Sequence, residues 1–134
     1  MRNLSFVALA ARILFATALR AQSGEARTLE VEGGGSISYT LRTYPPDAHL
    51  ARPTGELKPA SALDAAKLLN LHLSSGDIEE AALLSNAPSR RFEVLRDYRE
   101  SVGEEEFKRV FAQYFFPQNR LLAEIAIGRR RLLI

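Results

Sequence analysis

The chain has 134 residues, with neither cysteine nor tryptophan; 46% of the residues are hydrophobic and 25% are charged. These values are typical of a single globular domain, and they exclude a collagen-like chain, a multi-pass membrane protein and a disulfide scaffold. The absence of cysteine also excludes a thiol nucleophile and a cysteine zinc site. The formal net charge is +2, from 18 basic and 16 acidic residues.

The N-terminal segment 1–21 has the pattern of a secretory signal peptide. A basic start precedes an apolar run over residues 4–18, which Arg12 interrupts, and small residues suited to cleavage follow. A mitochondrial-type presequence and a buried amphipathic helix are the alternatives, because no acidic residue precedes Glu25. We expect an exported protein, periplasmic or secreted.

The leader also decides the sign of the net charge. Without Arg2, Arg12 and Arg20, 15 basic and 16 acidic residues remain. A nearly neutral domain gives no electrostatic reason to expect nucleic acid as a partner. We also expect no stable membrane span once the leader is removed.

Residues 22–60 are predicted to form a β-hairpin followed by a proline-rich connector. Residues 27–32 and 36–42 alternate between apolar and polar side chains, and three glycines lie between them. A phosphate-binding loop is disfavoured, because the glycines lack the lysine of a P-loop and a following helix. The connector spans residues 44–59 and contains four prolines, which prevent helix formation.

Four helices are predicted after the connector. Ser61 and Asp77 are expected to cap the first and second helices, which Gly76 separates. The third helix is expected from about residue 89 to 102, and the fourth from 104 to about 114. The predicted buried residues recur at helical spacing: Leu69, Leu73, Ile78, Leu95, Phe107 and Phe111.

The fourth helix carries two more specific predictions. Ser101 and Glu104 have the spacing of a capping box. Glu105 and Arg109, like Glu104 and Lys108, have the i, i+4 spacing of a favourable ion pair.

Two strands are predicted at the C-terminal end, over residues 121–127 and 131–134. The chain stops within an apolar strand pattern, so either the sheet is incomplete or residues 132–134 find a place within it. The expected fold class is α+β: an N-terminal hairpin, about four helices and then a curved antiparallel sheet, apparently incomplete at the C-terminus. Residues 61–134 form its helical segment and the start of that sheet.

Residues 61–134 resemble the nuclear transport factor 2-like superfamily, in which helices and a curved antiparallel sheet form a cone. The likeness rests on the long first helix, the step LSSGDIE at 73–79 and the run EIAIG at 124–128. It implies a cone-shaped pocket, an exported bacterial type of protein, and a homodimer formed through the sheet as one arrangement.

Enzymes of the ketosteroid isomerase type in this superfamily use an acid and a tyrosine in the pocket. Here no position matches a catalytic motif, so no catalytic residue is assigned. The candidate acids have simpler roles: Asp64 as a cap, Asp97 as a solvated residue between two arginines, and Glu124 on the polar side of its strand. Tyr98 and Tyr114 lie in apolar stripes and are interpreted as core residues.

The remaining candidates are binding residues. The predicted lining of a ligand pocket is His72, Tyr98, Phe111, Tyr114 and Ile125. Two distant histidines without cysteine make a metal site improbable, and no cofactor is expected. Two basic clusters, at 90–91 and 129–131, could bind a phosphate or an acidic lipid surface, or could simply be solvated.

The sequence thus favours a non-catalytic module that binds a small apolar ligand or a protein partner. One alternative is an isomerase, dehydratase or cyclase that uses an acid and a tyrosine. The other is a helical assembly factor without a pocket. A carboxylate inside the pocket would favour the enzyme, and its absence would favour the binding module.

Overall fold

The computed structural model describes residues 24–134. The predicted signal peptide at 1–21 lies outside the described residues. Within them the protein is α+β, as predicted, with a hairpin, four α-helices, a 3-10 turn and two further strands. In chain order the elements are β1 (Glu25–Val31), β2 (Gly35–Thr43), α1 (Ala62–Ser75), α2 (Ile78–Leu83), α3 (Pro88–Val102), α4 (Glu104–Ala112), the 3-10 turn (Gln113–Phe115), β3 (Ala123–Ile127) and β4 (Arg130–Leu133).

All four strands belong to one antiparallel sheet with the order β1-β2-β3-β4. Gly33 and Gly34 both have positive φ angles, so the glycine turn closes the predicted hairpin. The hairpin is not a separate unit, because β2 pairs with β3 and places Leu41 opposite Ile125. β4 then pairs with β3, with Leu132 opposite Ile125.

The strand register divides the sheet into a polar face and a mostly apolar face, here the apolar sheet face, because successive side chains point to opposite sides. Glu25, Arg27 and Arg130 share the mostly apolar side with its aliphatic residues. Leu41, Ile125 and Leu132 form one cross-strand row on the apolar face. The members of this apolar sheet face with the most exposed side chains, at 40–56% exposure, are Leu29, Val31, Ile37, Ile127 and Leu132. The main contact between helices and sheet is that of α1 with β4, so much of the apolar sheet face stays open.

The turn at Gly76 joins α1 to α2. Gly76 has a φ of +80°, and its amide donates to the carbonyl of Leu73 at 3.1 Å. The amide of Asp77 donates to the carbonyl of His72 at 2.9 Å, which completes a C-cap in which glycine has the left-handed conformation. The Asp77 carboxylate then accepts from the Glu80 amide at 3.3 Å, so its predicted capping role is confirmed.

The core lies among the helices. Ile78 and Phe107 are completely buried, and Leu73, Ala81 and Leu95 complete the cluster. Each helix from α1 to α4 contributes at least one of these side chains, as their predicted apolar stripes require. Aromatic contacts extend the cluster, with 4.8 Å between the ring centres of Phe107 and Phe111.

Several local predictions are wrong at α4. The Ser101–Glu104 capping box does not form: Gly103 is the N-cap residue, and the Ser101 hydroxyl donates to the Tyr98 carbonyl at 2.8 Å. Arg109 pairs with Glu106, one turn away, and not with Glu105. The α-helix also ends at Ala112, and a 3-10 turn carries the chain on to Phe115.

Three glycine-to-alanine variants separate the cost of a left-handed φ from that of crowding. We expect Gly76→Ala to lower the free energy of unfolding by about 1–2 kcal/mol, since an L-residue is strained in that region. A Cβ there would lie 2.7 Å from Cε of Lys108, a flexible side chain that can move aside. Gly34→Ala, with positive φ and open space, should cost a similar amount.

Gly55→Ala is the control, because Gly55 has neither a positive φ nor a neighbouring atom within 4 Å. We expect its unfolding free energy to stay within about 0.5 kcal/mol of the parent. Urea unfolding followed by circular dichroism measures all three. Equal stability of the Gly76 and Gly55 variants would contradict the role assigned to the turn.

Candidate functional site

Two adjoining grooves open on the surface, one among the helices and the other between α1 and the C-terminal strands. The first, here the helical groove, has a volume of about 590 Å³ and lies among α1, the end of α2, α3 and α4. The second, here the strand-side groove, has a volume of about 490 Å³ and lies between α1 and the segment around β4. Both volumes fall in the range of small-molecule sites.

The floor of the helical groove is the open edge of the core. Leu69 and Leu73 lie one turn apart on α1 and so face the same way. Leu95 of α3 and Phe111 of α4 complete the apolar floor. The residues that make the helices pack therefore also make the groove apolar.

Tyr114 lies where the two grooves meet. Together with Asn70 it lines both of them. Its side chain is 51% exposed, and its ring stacks on Phe111 with 6.2 Å between the ring centres. The interpretation of Tyr114 as a core residue is therefore wrong: the 3-10 turn places it at the rim.

The charges around the grooves are of one sign. Among residues 24–134, no aspartate or glutamate lines either groove. Arg91 lines the helical groove and Arg120 lines the strand-side groove. The rest of the polar lining consists of amides and two hydroxyls: Asn70, Ser85, Asn86, Tyr114, Gln118 and Asn119. These groups can donate hydrogen bonds, but none is an acid or base that titrates near neutral pH.

The predicted pocket residues are only partly brought together. Phe111 and Tyr114 line the helical groove, whereas His72, Tyr98 and Ile125 line neither groove. Nδ1 of His72 lies 3.6 Å from the Asp77 carboxylate, beside the Gly76 turn. Tyr98 packs edge-on against Phe111, and Ile125 lies within the sheet.

The helical candidate acids have the local roles that the sequence suggested. Asp64 accepts a weak hydrogen bond from the Ala60 amide at 3.4 Å, while its own amide donates to Ser61 at 3.1 Å. Asp97 is paired with its neighbour Arg96 at 2.8 Å and is well exposed. Neither carboxylate approaches a groove.

Glu124 has a larger set of partners than the other two acids, and its side chain is only 16% exposed. Its carboxylate accepts from Nη2 of Arg42 at 2.8 Å and from the Tyr44 hydroxyl at 3.2 Å. Nε of Arg131 lies 3.9 Å from the same carboxylate. The side chain is on the polar face of its strand, as expected, but it belongs to a polar cluster that crosses β2, β3 and β4.

The electrostatics of this polar cluster do not favour acid catalysis. Burial raises the pKa of the Tyr44 hydroxyl, and the hydrogen bond from Arg42 opposes this rise. The hydrogen bond to Tyr44 in turn raises the pKa of Arg42, which stays charged. Arg42 and Tyr44 both donate to Oε2 of Glu124, so the hydrogen bonds of the cluster engage this side chain as an acceptor and not as a donor.

Sequence reasoning missed several lining residues. Leu84 and Asn86 join Arg91, which the sequence identifies only as part of a basic cluster, because α2 is short and the chain turns back sharply into α3. Leu50 reaches the strand-side groove from the proline-rich connector, where it is buried. The helical period marks which residues face inward, but it carries no information on where a connector crosses the surface.

A double-mutant cycle on Arg42 and Glu124 tests the polar cluster. With Arg42→Met and Glu124→Gln we expect a coupling of about 1–2 kcal/mol in the free energy of unfolding. This is less than for a fully buried pair, because the Arg42 side chain is 37% exposed. The exposed pair Arg27–Glu25 on β1 is the control and should show no measurable coupling. Equal coupling in the two cycles would contradict a structural role for the cluster.

Three negative findings complete the description of residues 24–134. In this part of the chain no group of histidine, aspartate and glutamate side chains could hold a metal ion. None of its helices is both long and apolar enough to cross a membrane. No protein family model matches the chain, and neither a curated protein nor a solved structure is significantly similar to it.

Proposed function

We propose that this protein is a non-catalytic binding module that holds a small apolar ligand in the helical groove. The observation that carries the proposal is the composition of this groove. It has a volume of about 590 Å³ and an apolar floor, and no carboxylate of the described residues lines it. Leu69, Leu95 and Phe111 supply surface that a ligand can desolvate, and Tyr114 supplies an exposed ring at the rim.

The enzyme alternative has less support. An isomerase or dehydratase of the expected type needs an acid and a tyrosine facing one apolar space. Tyr98 lines neither groove, and Tyr114 shares its grooves with no aspartate or glutamate of the described residues. Glu124 and Tyr44 do lie together, but Arg42 forms an ion pair with the carboxylate, and neither residue lines a groove.

Two further parts of the proposal rest on sequence. The leader pattern at 1–21 supports export, to the periplasm or outside the cell. The likeness of residues 61–134 to the nuclear transport factor 2-like superfamily supports ligand binding in the space between α1 and the sheet. The strand-side groove lies in that space.

Tyr114→Ala tests the groove with a neutral apolar probe, N-phenyl-1-naphthylamine, whose fluorescence rises in an apolar site. We expect the probe to bind the parent protein and to bind the variant about threefold to tenfold more weakly, because one aromatic contact is lost. Phe116→Ala is the matched control: Phe116 is 52% exposed, close to the value for Tyr114, but lines neither groove. Absence of probe binding, or equal loss in both variants, would refute the proposal.

A second candidate function, association with a second copy, is favoured by the apolar sheet face. Five exposed apolar side chains share one face of the sheet, whereas on a typical monomer surface exposed apolar side chains are scattered singly. In a twofold dimer this face meets an identical one, and the charged residues that share the face, Glu25, Arg27 and Arg130, lie on the two edge strands. This candidate does not compete with the groove, which lies among the helices.

Sedimentation equilibrium of paired variants tests the association. Ile37 and Ser38 are neighbours on opposite faces of β2, so Ile37→Lys places a charge on the apolar face and Ser38→Lys on the polar one. We expect the parent and Ser38→Lys to sediment as dimers and Ile37→Lys as a monomer. A monomeric parent protein would rule out this association.

A further inference from the structure

The helical groove is continuous with a polar hollow at one end. Ser85, Asn86 and Arg91 line both the groove and a second space of about 340 Å³. Arg90 lines only the second space, which is here called the arginine hollow. A ligand in the groove can therefore extend from the apolar floor to two guanidinium groups without leaving the protein surface.

The two arginines of the hollow have no partners within residues 24–134. Neither side chain makes a hydrogen bond or an ion pair there. The contrast with other arginines is clear: Arg96, on the same helix, is paired with Asp97, and Arg109 is paired with Glu106. Arg90 and Arg91 are thus available for a ligand.

The local electrostatics make an anion favourable in the arginine hollow. The first turn of α3 contains no acidic residue, and its N-cap Ala87 provides no side-chain acceptor. Two positive side chains therefore lie beside the positive end of the helix dipole, an arrangement that a negative group would stabilise. The forked guanidinium also suits a carboxylate, which it can bind through two parallel hydrogen bonds.

The order of side chains along α3 sets the direction of the ligand. Arg91 and Leu95 are one turn apart on the same face, and both line the helical groove. Leu95 belongs to the core, and with Leu69 and Phe111 it forms the apolar floor. A charged head at Arg91 is thus followed directly by a path for an apolar tail.

We propose that the ligand is a single-chain amphiphile with an anionic head, of the fatty-carboxylate class. Its head binds Arg91 and Arg90 in the arginine hollow, and its alkyl tail lies along the helical groove. This inference rests on the proposed function and adds to it the charge and orientation of the ligand. A cationic amphiphile is excluded by the same two arginines.

Calorimetric titration of the full chain with dodecanoate and with 1-dodecanol tests the head-group assignment. The tails are the same length, so the difference reports the charge. We expect dodecanoate to bind about tenfold tighter or more, as for a hydrogen bond to a charged group. Arg91→Gln should reduce this difference, because it weakens the binding of dodecanoate more than that of dodecanol.

Arg129→Gln is the control, because Arg129 also has no ion pair within residues 24–134 but lies at the β3–β4 turn, outside the grooves. It should preserve the difference between the two ligands. Equal affinity for dodecanoate and dodecanol would overturn the head-group assignment and leave the proposed function in place. If neither ligand binds and the neutral probe also fails, the proposed function itself is wrong.

Two further titrations distinguish a free anionic amphiphile from a simple anion and from an anionic membrane surface. Acetate alone should show no measurable binding, because the tail supplies most of the buried apolar surface. Binding of acetate as strong as that of dodecanoate would overturn the amphiphile in favour of a simple anion site. Binding to vesicles of anionic phospholipid without binding to monomeric dodecanoate would overturn it in favour of a membrane surface.

Discussion

The left-handed turn at Gly76 is the constraint on which the helical part of the protein depends. Its amide and that of Asp77 close the end of α1, and its carbonyl accepts from Nη1 of Arg99 on α3 at 3.0 Å. The side chain of Lys108 from α4 crosses the space beside its Cα. One residue without a side chain thus allows four helices to meet, and Ile78 enters the core two residues later.

The small size of this core explains the surfaces around it. The helices bury few side chains completely, so the edge of the cluster at Leu69 and Phe111 stays open as the floor of the helical groove. The sheet meets the helices mainly where α1 contacts β4, so it does not close the structure. Apolar surface therefore remains in two places, a concave groove between helices and the apolar sheet face.

Charge is distributed unevenly between these surfaces. Several acids are committed to caps or ion pairs, such as Asp77 at α2, Glu106 with Arg109, and Glu124 with Arg42. Arg90 and Arg91 have no such partner among the described residues, and they lie where the groove opens. Because the apolar floor and the unpaired cationic end are separate, an amphiphilic ligand can bind in only one orientation, which a neutral pocket would not impose.

Local patterns in the sequence determined the elements: the glycine turn, the caps Ser61 and Asp77, the stop at Gly76 and the apolar stripes all predicted what the structure contains. Interactions between distant segments were decided only by the tertiary structure. Pairing of β2 with β3, the ion pair Arg42–Glu124 and the position of Leu50 beside the C-terminal segment join residues about 70 to 86 positions apart. Periodicity and capping act within a few turns, so the sequence could place Phe111 and Arg91 on helices but could not show that they line one groove.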